Sequence, residues 1–147
     1  MNVVIGNDHA AIQLKHEVIE YLKNQGITVK DKGAQEKTSK EYPDYAQEVC
    51  NNILSGEYQL AILLCGTGAG MCITANKIRG IRSVVCSEPY TAQLSRAHNN
   101  ANVLCLGARV VGTELAKLIV KAFLETPFEG GRHADRVAKI SDIESRA

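Results

Sequence analysis

The sequence carries almost no excess charge: 17 Lys and Arg stand against 16 Asp and Glu, for a net charge of +1. A chain so balanced exerts no general pull on nucleic acid or on a membrane surface. Long apolar runs are missing too. No stretch approaches the roughly 18 residues that cross a bilayer. The opening MNVVIGNDHA lacks the basic region and the longer apolar run of a secretion signal. The five cysteines, Cys50, Cys65, Cys72, Cys86 and Cys105, are odd in number, and no two stand in C-x-x-C spacing. That argues against a disulfide framework, a structural zinc site and a thioredoxin-type motif. The expectation is reduced thiols in the cytoplasm, all but Cys65 serving as small buried apolar residues. No repeat, linker or low-complexity tract divides the 147 residues, so one domain over 1–147 is expected.

What is present is a regular alternation. NVVIG (2–6), ITVKD (27–31), LAILLC (60–65), IRSVVCS (81–87) and NVLCLG (102–107) read as strands. LAILLC is the most continuous apolar run, as a buried parallel strand requires. Between the strands lie helical patterns. Residues 11–26 place Ile12, Val18, Ile19 and Leu22 on one side, and Gly26 is a natural stop. Residues 45–56, 71–80 and 90–100 also read as helices, the last begun by Pro89. Residues 112–126 present Leu115, Leu118, Ile119, Ala122 and Phe123 as an apolar face. KGAQEKTSKEYPD reads as a polar surface loop. Five strands alternating with helices predict an α/β sandwich around a five-stranded parallel sheet.

In such sheets ligands bind beyond the carboxyl ends of the strands. The residues there are Asn7, Asp8 and His9 after the first strand, and Cys65, Gly66, Thr67, Gly68 and Gly70 after the third. Ser87 and Glu88 follow the fourth, and Gly107, Ala108 and Arg109 the fifth. In the tail, Val137, Ile140 and Ile143 recur every three residues. A helix there has one narrow apolar stripe that must bury against something, and a second subunit is a reasonable target. Arg132 and Arg136 are four apart, so they share a helix face and can bind one anion together.

The glycine loop LLCGTGAGM fails several familiar tests. A Walker loop needs a lysine where Met71 stands. A cysteine phosphatase loop needs an arginine at that same position. A dinucleotide fingerprint needs G-x-G-x-x-G after the first strand, whereas G-x-G-x-G follows the third. What remains is a thiol beside backbone N–H groups at a helix N-terminus. That setting stabilises thiolate and offers donors to a developing oxyanion. Both suit proton abstraction next to a carbonyl. The glycines alone are equally compatible with a plain strand-to-helix turn.

Five segments in order, DHAA, EYPDYA, CGTGAGM, ANKIRGIRSVVCSEPYTAQLSRAHNNANVLCLGARVVG and FEGGRHADRV, span nearly the whole chain. Together they resemble the ribose/galactose isomerase family. The resemblance implies a three-layer Rossmann-like sandwich whose C-terminal helical tail packs on a partner subunit. It implies a homodimer or dimer of dimers with shared active sites. The implied activity is aldose–ketose isomerisation of ribose 5-phosphate and ribulose 5-phosphate, a step of the non-oxidative pentose phosphate pathway, with neither metal nor organic cofactor. A six-carbon substrate, allose 6-phosphate or galactose 6-phosphate, is the alternative within the family. The loop 33–44 and the phosphate clamp would discriminate between them. A module that binds sugar phosphate without turnover would need the arginines but not Cys65.

By the same resemblance, Cys65 is the base that moves a proton between C1 and C2 through a cis-enediol. Some relatives use a glutamate elsewhere, and Cys65 places this chain in the cysteine branch. Thr67 would hydrogen-bond the reacting oxygens, and Gly66, Gly68 and Gly70 would form the anion hole. Asp8 would hold sugar hydroxyls and assist ring opening, and His9 would contact the phosphate. His98 would open the furanose ring, since imidazole both gives and takes a proton near neutral pH. Asn99 would hold a hydroxyl or the enediolate. Arg109, Arg132 and Arg136 would clamp the phosphate with the fixed donor fork of guanidinium, the tail pair coming from the partner. Tyr42, at the rim, would touch a sugar hydroxyl. Plainer roles exist for each: Thr67, His98 and Asn99 as helix caps, Tyr42 as a loop anchor, the arginines as solvated charges.

Overall fold

The computed structural model describes residues 1–37 and 40–147; Thr38 and Ser39, within the 33–44 loop, lie outside the described residues. Among the described residues, five strands alternate with six α-helices. The strands are β1 (Asn2–Asn7), β2 (Thr28–Asp31), β3 (Leu60–Cys65), β4 (Ser83–Val85) and β5 (Val103–Gly107). The helices are α1 (Ile12–Asn24), α2 (Tyr42–Leu54), α3 (Ala69–Asn76), α4 (Pro89–Asn99), α5 (Thr113–Glu125) and α6 (Arg132–Ser145). All strands are parallel, in the order β2-β1-β3-β5-β4. Among these residues no helix is long and apolar enough to cross a membrane.

Each residue of LAILLC is buried because β3 is the central strand and both of its faces are covered. Alternate side chains go to opposite faces. Ile62 and Leu64 join Val18 of α1, Ala92 of α4 and Phe123 of α5 in one core. Ala61, Leu63 and Cys65 join Val49 of α2 and Met71 and Ala75 of α3 in the other. The result is the expected three-layer sandwich. Each fully buried Leu or Ile contributes roughly 1.5–3 kcal/mol.

The boundaries differ from the sequence reading in instructive ways. α2 begins at Tyr42, not at Tyr45. Pro43 suits a first helical turn, and Glu41 and Asp44 form a reciprocal capping box, the Glu41 N–H donating to Asp44 Oδ2 at 3.0 Å. α3 likewise starts earlier, at Ala69, and ends at Asn76. Leu118 was expected in the apolar face of α5 but is 56% exposed; Ala116, Ile119, Val120 and Phe123 carry that face.

Lys15 is fully buried on α1, against the usual fate of lysine. Its Nζ lies 3.1 Å from Asp31 Oδ2 and donates to the Ala34 carbonyl at 2.6 Å. The ammonium thereby ties the end of β2 and the following loop to α1. Burial pushes the Asp31 carboxyl up, but hydrogen bonds from Gln35 and Gly33 and the Lys15 ammonium outweigh it, and the net shift is down. A carboxylate lowered in the folded state stabilises above its unfolded pKa, and that contribution fades as pH falls through the folded value. Lys15→Met should cost about 2 kcal/mol near neutral pH, because the carbonyl and carboxylate lose their partner. It should also lessen the loss of stability on acidification. Urea unfolding at neutral and acid pH measures both, and an unchanged midpoint would remove Lys15 from this role.

Candidate active site

β1 and β3 are neighbours, yet the chain leaves them in opposite directions, from β1 to β2 on one side and from β3 toward β4 on the other. A crevice opens at the carboxyl ends of such a pair. The register sets Asn7 beside Leu64, so Asp8 and Cys65 flank that crevice. The Asp8 N–H donates to the Leu64 carbonyl at 3.1 Å, extending the ladder by one step. Its buried carboxylate accepts from the Ala10 N–H at 2.9 Å and caps the short turn His9–Ala11. His9 is exposed at the start of that turn. Asn7 is fully buried; its Nδ2 donates to the carbonyls of Asp8 and Ala34, at 2.8 and 3.2 Å, and fixes both segments around the crevice. The sequence reading names Asn7 among the residues after the first strand but gives it no role; full burial of an amide makes it a positioning residue.

The glycine loop wraps around the thiol. Cys65 is 5% exposed, and its Sγ accepts a hydrogen bond from the Gly68 N–H at 3.2 Å. Gly68 caps α3 with a φ of +83°, a conformation that side chains with a Cβ resist. A Cβ there would also stand 3.0 Å from the Leu106 carbonyl carbon. Thr67 is exposed, and its Oγ1 accepts from the Ala69 N–H at 3.2 Å. β5 braces the loop from the far side: the Ala108 N–H donates to Cys65 O at 2.8 Å and the Arg109 N–H to Gly66 O at 2.9 Å. The Arg109 guanidinium lies over Gly66, where a Cβ would meet Nη1 at 3.3 Å. The Tyr42 ring lies over Gly70, where a Cβ would meet Cε1 at 2.6 Å. Bare backbone therefore lets a phenol and a guanidinium close down on the loop. Asp8, Cys65, Gly66, Thr67, Gly68, Gly70, Tyr42 and Arg109 are thus gathered at one end of the sheet.

The other thiols separate into two kinds. Burial pushes Cys50 up to about 12 and Cys86 up to about 11, as inert core thiols should be. Cys72 is half-buried, contrary to expectation. The thiol of Cys105 beside it, more than any other group, draws it down to about 6, while burial pushes Cys105 up. Cys72 is carried by α3, its Sγ donating to Ser83 O at 3.5 Å. It faces the sheet rather than the crevice.

The remaining candidates form a second cluster. α4 leaves the carboxyl end of β4 and returns to the amino end of β5, because the two strands are parallel. Its 11 residues carry the chain about 16 Å. His98 and Asn99, in its last turn, therefore lie at the end of the sheet away from Cys65. The Glu129 N–H donates to the Ala97 carbonyl at 3.0 Å, which brings the start of α6 to the same place. Arg132 and Arg136 are exposed there. Within one chain these four residues are not brought to the thiol. His133, between the two arginines, is buried and stacks on His98 with centroids 4.2 Å apart and planes at 6°. Burial and the His98 ring hold its pKa below the ordinary histidine range, and Glu129 pulls the other way. Sequence reasoning missed His133; the signal was an imidazole at the head of a tail helix with a GG turn before it. Among the described residues, His98, Glu129 and His133 form the one group whose ligand atoms converge closely enough for a metal ion.

α6 buries little else. His133 is its one buried residue, and the apolar stripe is open, with Ile140 47% and Ile143 64% exposed.

Comparison with known proteins identifies the family. Residues 3–140 match the profile of the Ribose/Galactose Isomerase family. Ribose-5-phosphate isomerase B of Escherichia coli (strain K12) is 52% identical over 144 residues, covering 98% of this chain and 97% of that protein. A D-erythrulose-4-phosphate isomerase of Pectobacterium atrosepticum is 48% identical over 146 residues, covering 98% and 95%. The solved structure of Mycoplasma genitalium ribose-5-phosphate isomerase B with bound ribulose-5-phosphate superposes with a TM-score of 0.93 at 39% identity, covering 99% of this chain and 97% of that one. A chain matched over nearly its full length in profile, sequence and fold belongs to the ribose/galactose isomerase family.

Proposed function

We propose that this chain, as one domain, is an aldose–ketose isomerase that interconverts D-ribose 5-phosphate and D-ribulose 5-phosphate through a cis-enediol. The observation that carries the reading is the buried Cys65 Sγ held by the Gly68 N–H, beside Asp8 and under Arg109. Once the sugar ring is open, Cys65 as thiolate takes the proton from the carbon next to the carbonyl. Negative charge then develops on oxygen. Backbone N–H groups of the glycine loop and the Thr67 hydroxyl meet it, which lowers the barrier to the enediol. The hydroxyl proton on O2 passes to O1, relayed by the Thr67 hydroxyl, and return of the proton from the thiol to the neighbouring carbon then completes the exchange of aldose and ketose. Asp8 and Tyr42 hold sugar hydroxyls, and Arg109 and His9 face the phosphate. This route runs on side chains alone. A base that must remain a thiol suits a reducing compartment, the cytoplasm.

His98 opens the furanose, Asn99 holds a hydroxyl, and Arg132 and Arg136 complete the phosphate clamp, all from a second subunit. Two observations support the shared site. The two groups of residues lie at opposite ends of one sheet, and the stripe of Ile140 and Ile143 is uncovered in the chain alone. A homodimer, or a dimer of dimers, would cover that stripe while closing the site. Arg132→Ala or Arg136→Ala should raise KM by about 10- to 100-fold with kcat little changed, because a charge-assisted hydrogen bond to phosphate serves ground and transition states alike. Initial-rate kinetics on ribose 5-phosphate decide this, and an unchanged KM excludes that arginine.

The functional test is turnover of ribose 5-phosphate by purified protein in the presence of chelator. Allose 6-phosphate, galactose 6-phosphate and erythrulose 4-phosphate run beside it. Preference for the five-carbon sugar is expected. The Pectobacterium relative makes a four-carbon substrate the specific second reading. Preference for it, or for a six-carbon sugar, would keep the chemistry and change the substrate. Binding of sugar phosphate without turnover of any would leave a binding module instead.

A further inference from the structure

The cluster at the foot of α4 is built from three separately anchored pieces. His98 ends α4. Glu129 is pinned by its N–H to the Ala97 carbonyl at 3.0 Å. Two successive glycines of positive φ, Gly130 at +69° and Gly131 at +56°, then reverse the chain into α6. The His133 N–H donates to the Gly130 carbonyl at 3.0 Å, and this turn sets the His133 ring flat against His98.

The polar edges of this stack point the same way. His98 Nε2 lies 3.6 Å from Glu129 Oε2, and His133 Nε2 lies 4.0 Å from Glu129 Oε1. All three ligand atoms lie within 4.8 Å of one another. Donors around one tetrahedral zinc ion stand about 3.4 Å apart, and each imidazole binds along its own ring plane, so an ion requires the two stacked rings to swing out of parallel as well as shifts of about 1 Å. Glu129 is half exposed and can swing that far. Two imidazoles and a carboxylate are a donor set for Zn²⁺ or its neighbours in the first transition series, and they leave a fourth position open.

We propose that His98, Glu129 and His133 form a binding site for a divalent transition-metal ion such as Zn²⁺, and that occupancy inhibits the isomerase. Inhibition rests on the functional reading above: a metal on Nε2 takes from His98 the position at which it would exchange a proton with the sugar ring. Arg132 and Arg136 flank the cluster and oppose a dication. The affinity is therefore on the order of micromolar, far below that of a structural zinc site. The ion is a reversible inhibitor and takes no part in turnover.

The test titrates chelator-stripped protein with Zn²⁺ by calorimetry and with Co²⁺ by absorption, for wild type, Glu129→Gln and His133→Asn. One ion per chain is expected, bound more than about tenfold more weakly in either variant, with no thiolate charge-transfer band in the Co²⁺ spectrum. No binding up to millimolar Zn²⁺, binding untouched by Glu129→Gln, or a thiolate band would overturn the site. Glu129 is at the surface, so that variant reports on the ion and not on folding. In the isomerase assay, wild type should lose activity over the same Zn²⁺ range in which it binds. Each variant should need more than about tenfold more Zn²⁺, relative to its own metal-free rate. Zn²⁺ bound at this cluster with undiminished turnover would overturn the inhibition. Zn²⁺ bound in a protein that turns over no sugar phosphate would sink the isomerase reading and leave the metal site standing.

Discussion

Cys65→Ala should lower kcat for ribose 5-phosphate by at least about 10³-fold, the upper part of what a positioned base supplies. The reasoning is local. Cys50, Cys86 and Cys105 are buried and Cys72 faces Ser83, and a carboxylate beside Cys65 is already committed: Asp8 caps a turn through the Ala10 N–H at 2.9 Å. The change is small in packing terms, since only the sulfur is removed. Sugar-phosphate affinity, measured calorimetrically, should stay within about threefold, because the clamp arginines are untouched. The most direct readout is solvent deuterium entering C2 of recovered ribose 5-phosphate, which reports the enediol and not the overall rate. Deuterium incorporation near the wild-type rate in a verified Cys65→Ala protein would remove Cys65 from the proton-transfer step. Cys72→Ser is the useful companion. Cys72 is the thiol most drawn toward thiolate, at about 6, yet it faces Ser83, so its loss should leave kcat within about twofold and cost mainly stability.

Mixing inactive Cys65→Ala chains with clamp-impaired Arg136→Ala chains in equal amounts should restore about a quarter of wild-type activity at substrate near the wild-type KM. Half of a random mixture is heterodimer, and one of its two sites combines an intact Cys65 with an intact Arg136. The other site carries both lesions. For this test the assay runs at substrate near the wild-type KM, where loss of the clamp leaves the Arg136→Ala homodimer slow. The basis is the polarity of α4. A helix returning from one parallel strand to the next ends at the opposite edge of the sheet, so His98 and the head of α6 cannot reach Cys65 in the same chain. Tagged chains purified in two steps would isolate the heterodimer. If verified heterodimers are no more active than the parents, each site is built from one chain, and α6 must then move far from where it rests.

That polarity was already legible in the sequence. Alternation of strand and helix places residues 65–70 and 107–109 at one end and the last turn of residues 90–100 at the other, before any side chain is located. The elements themselves were legible for the same reason: apolar periodicity switches cleanly between two and 3.6. The strand order was not, because nothing local in β4 or β5 says that β5 will lie between β3 and β4; that choice belongs to the core as a whole. Lys15 sits in a helix as an ordinary polar position, and only the fold brings Asp31 and the Ala34 carbonyl to it. Leu118 followed the helical period but falls where α5 meets solvent. His133 stayed hidden because its partners, His98 and Glu129, come from two other segments. In the candidate site, the crevice residues were readable from their place after strands, whereas Asn7 as a brace and His133 as a stacked ring needed the coordinates.

With one half of each site at either end of the sheet, the proposed shared site makes the sugar phosphate a ligand of the assembly and not of the chain. On that reading it bridges two subunits and binds the dimer, not the separated chains, and mass action makes it an agent of association. On dilution without substrate, activity should fall more steeply than the protein concentration. Saturating substrate should bring the dependence back to linear. Metabolite supply and the population of assembled enzyme would then rise and fall together, without any separate regulator.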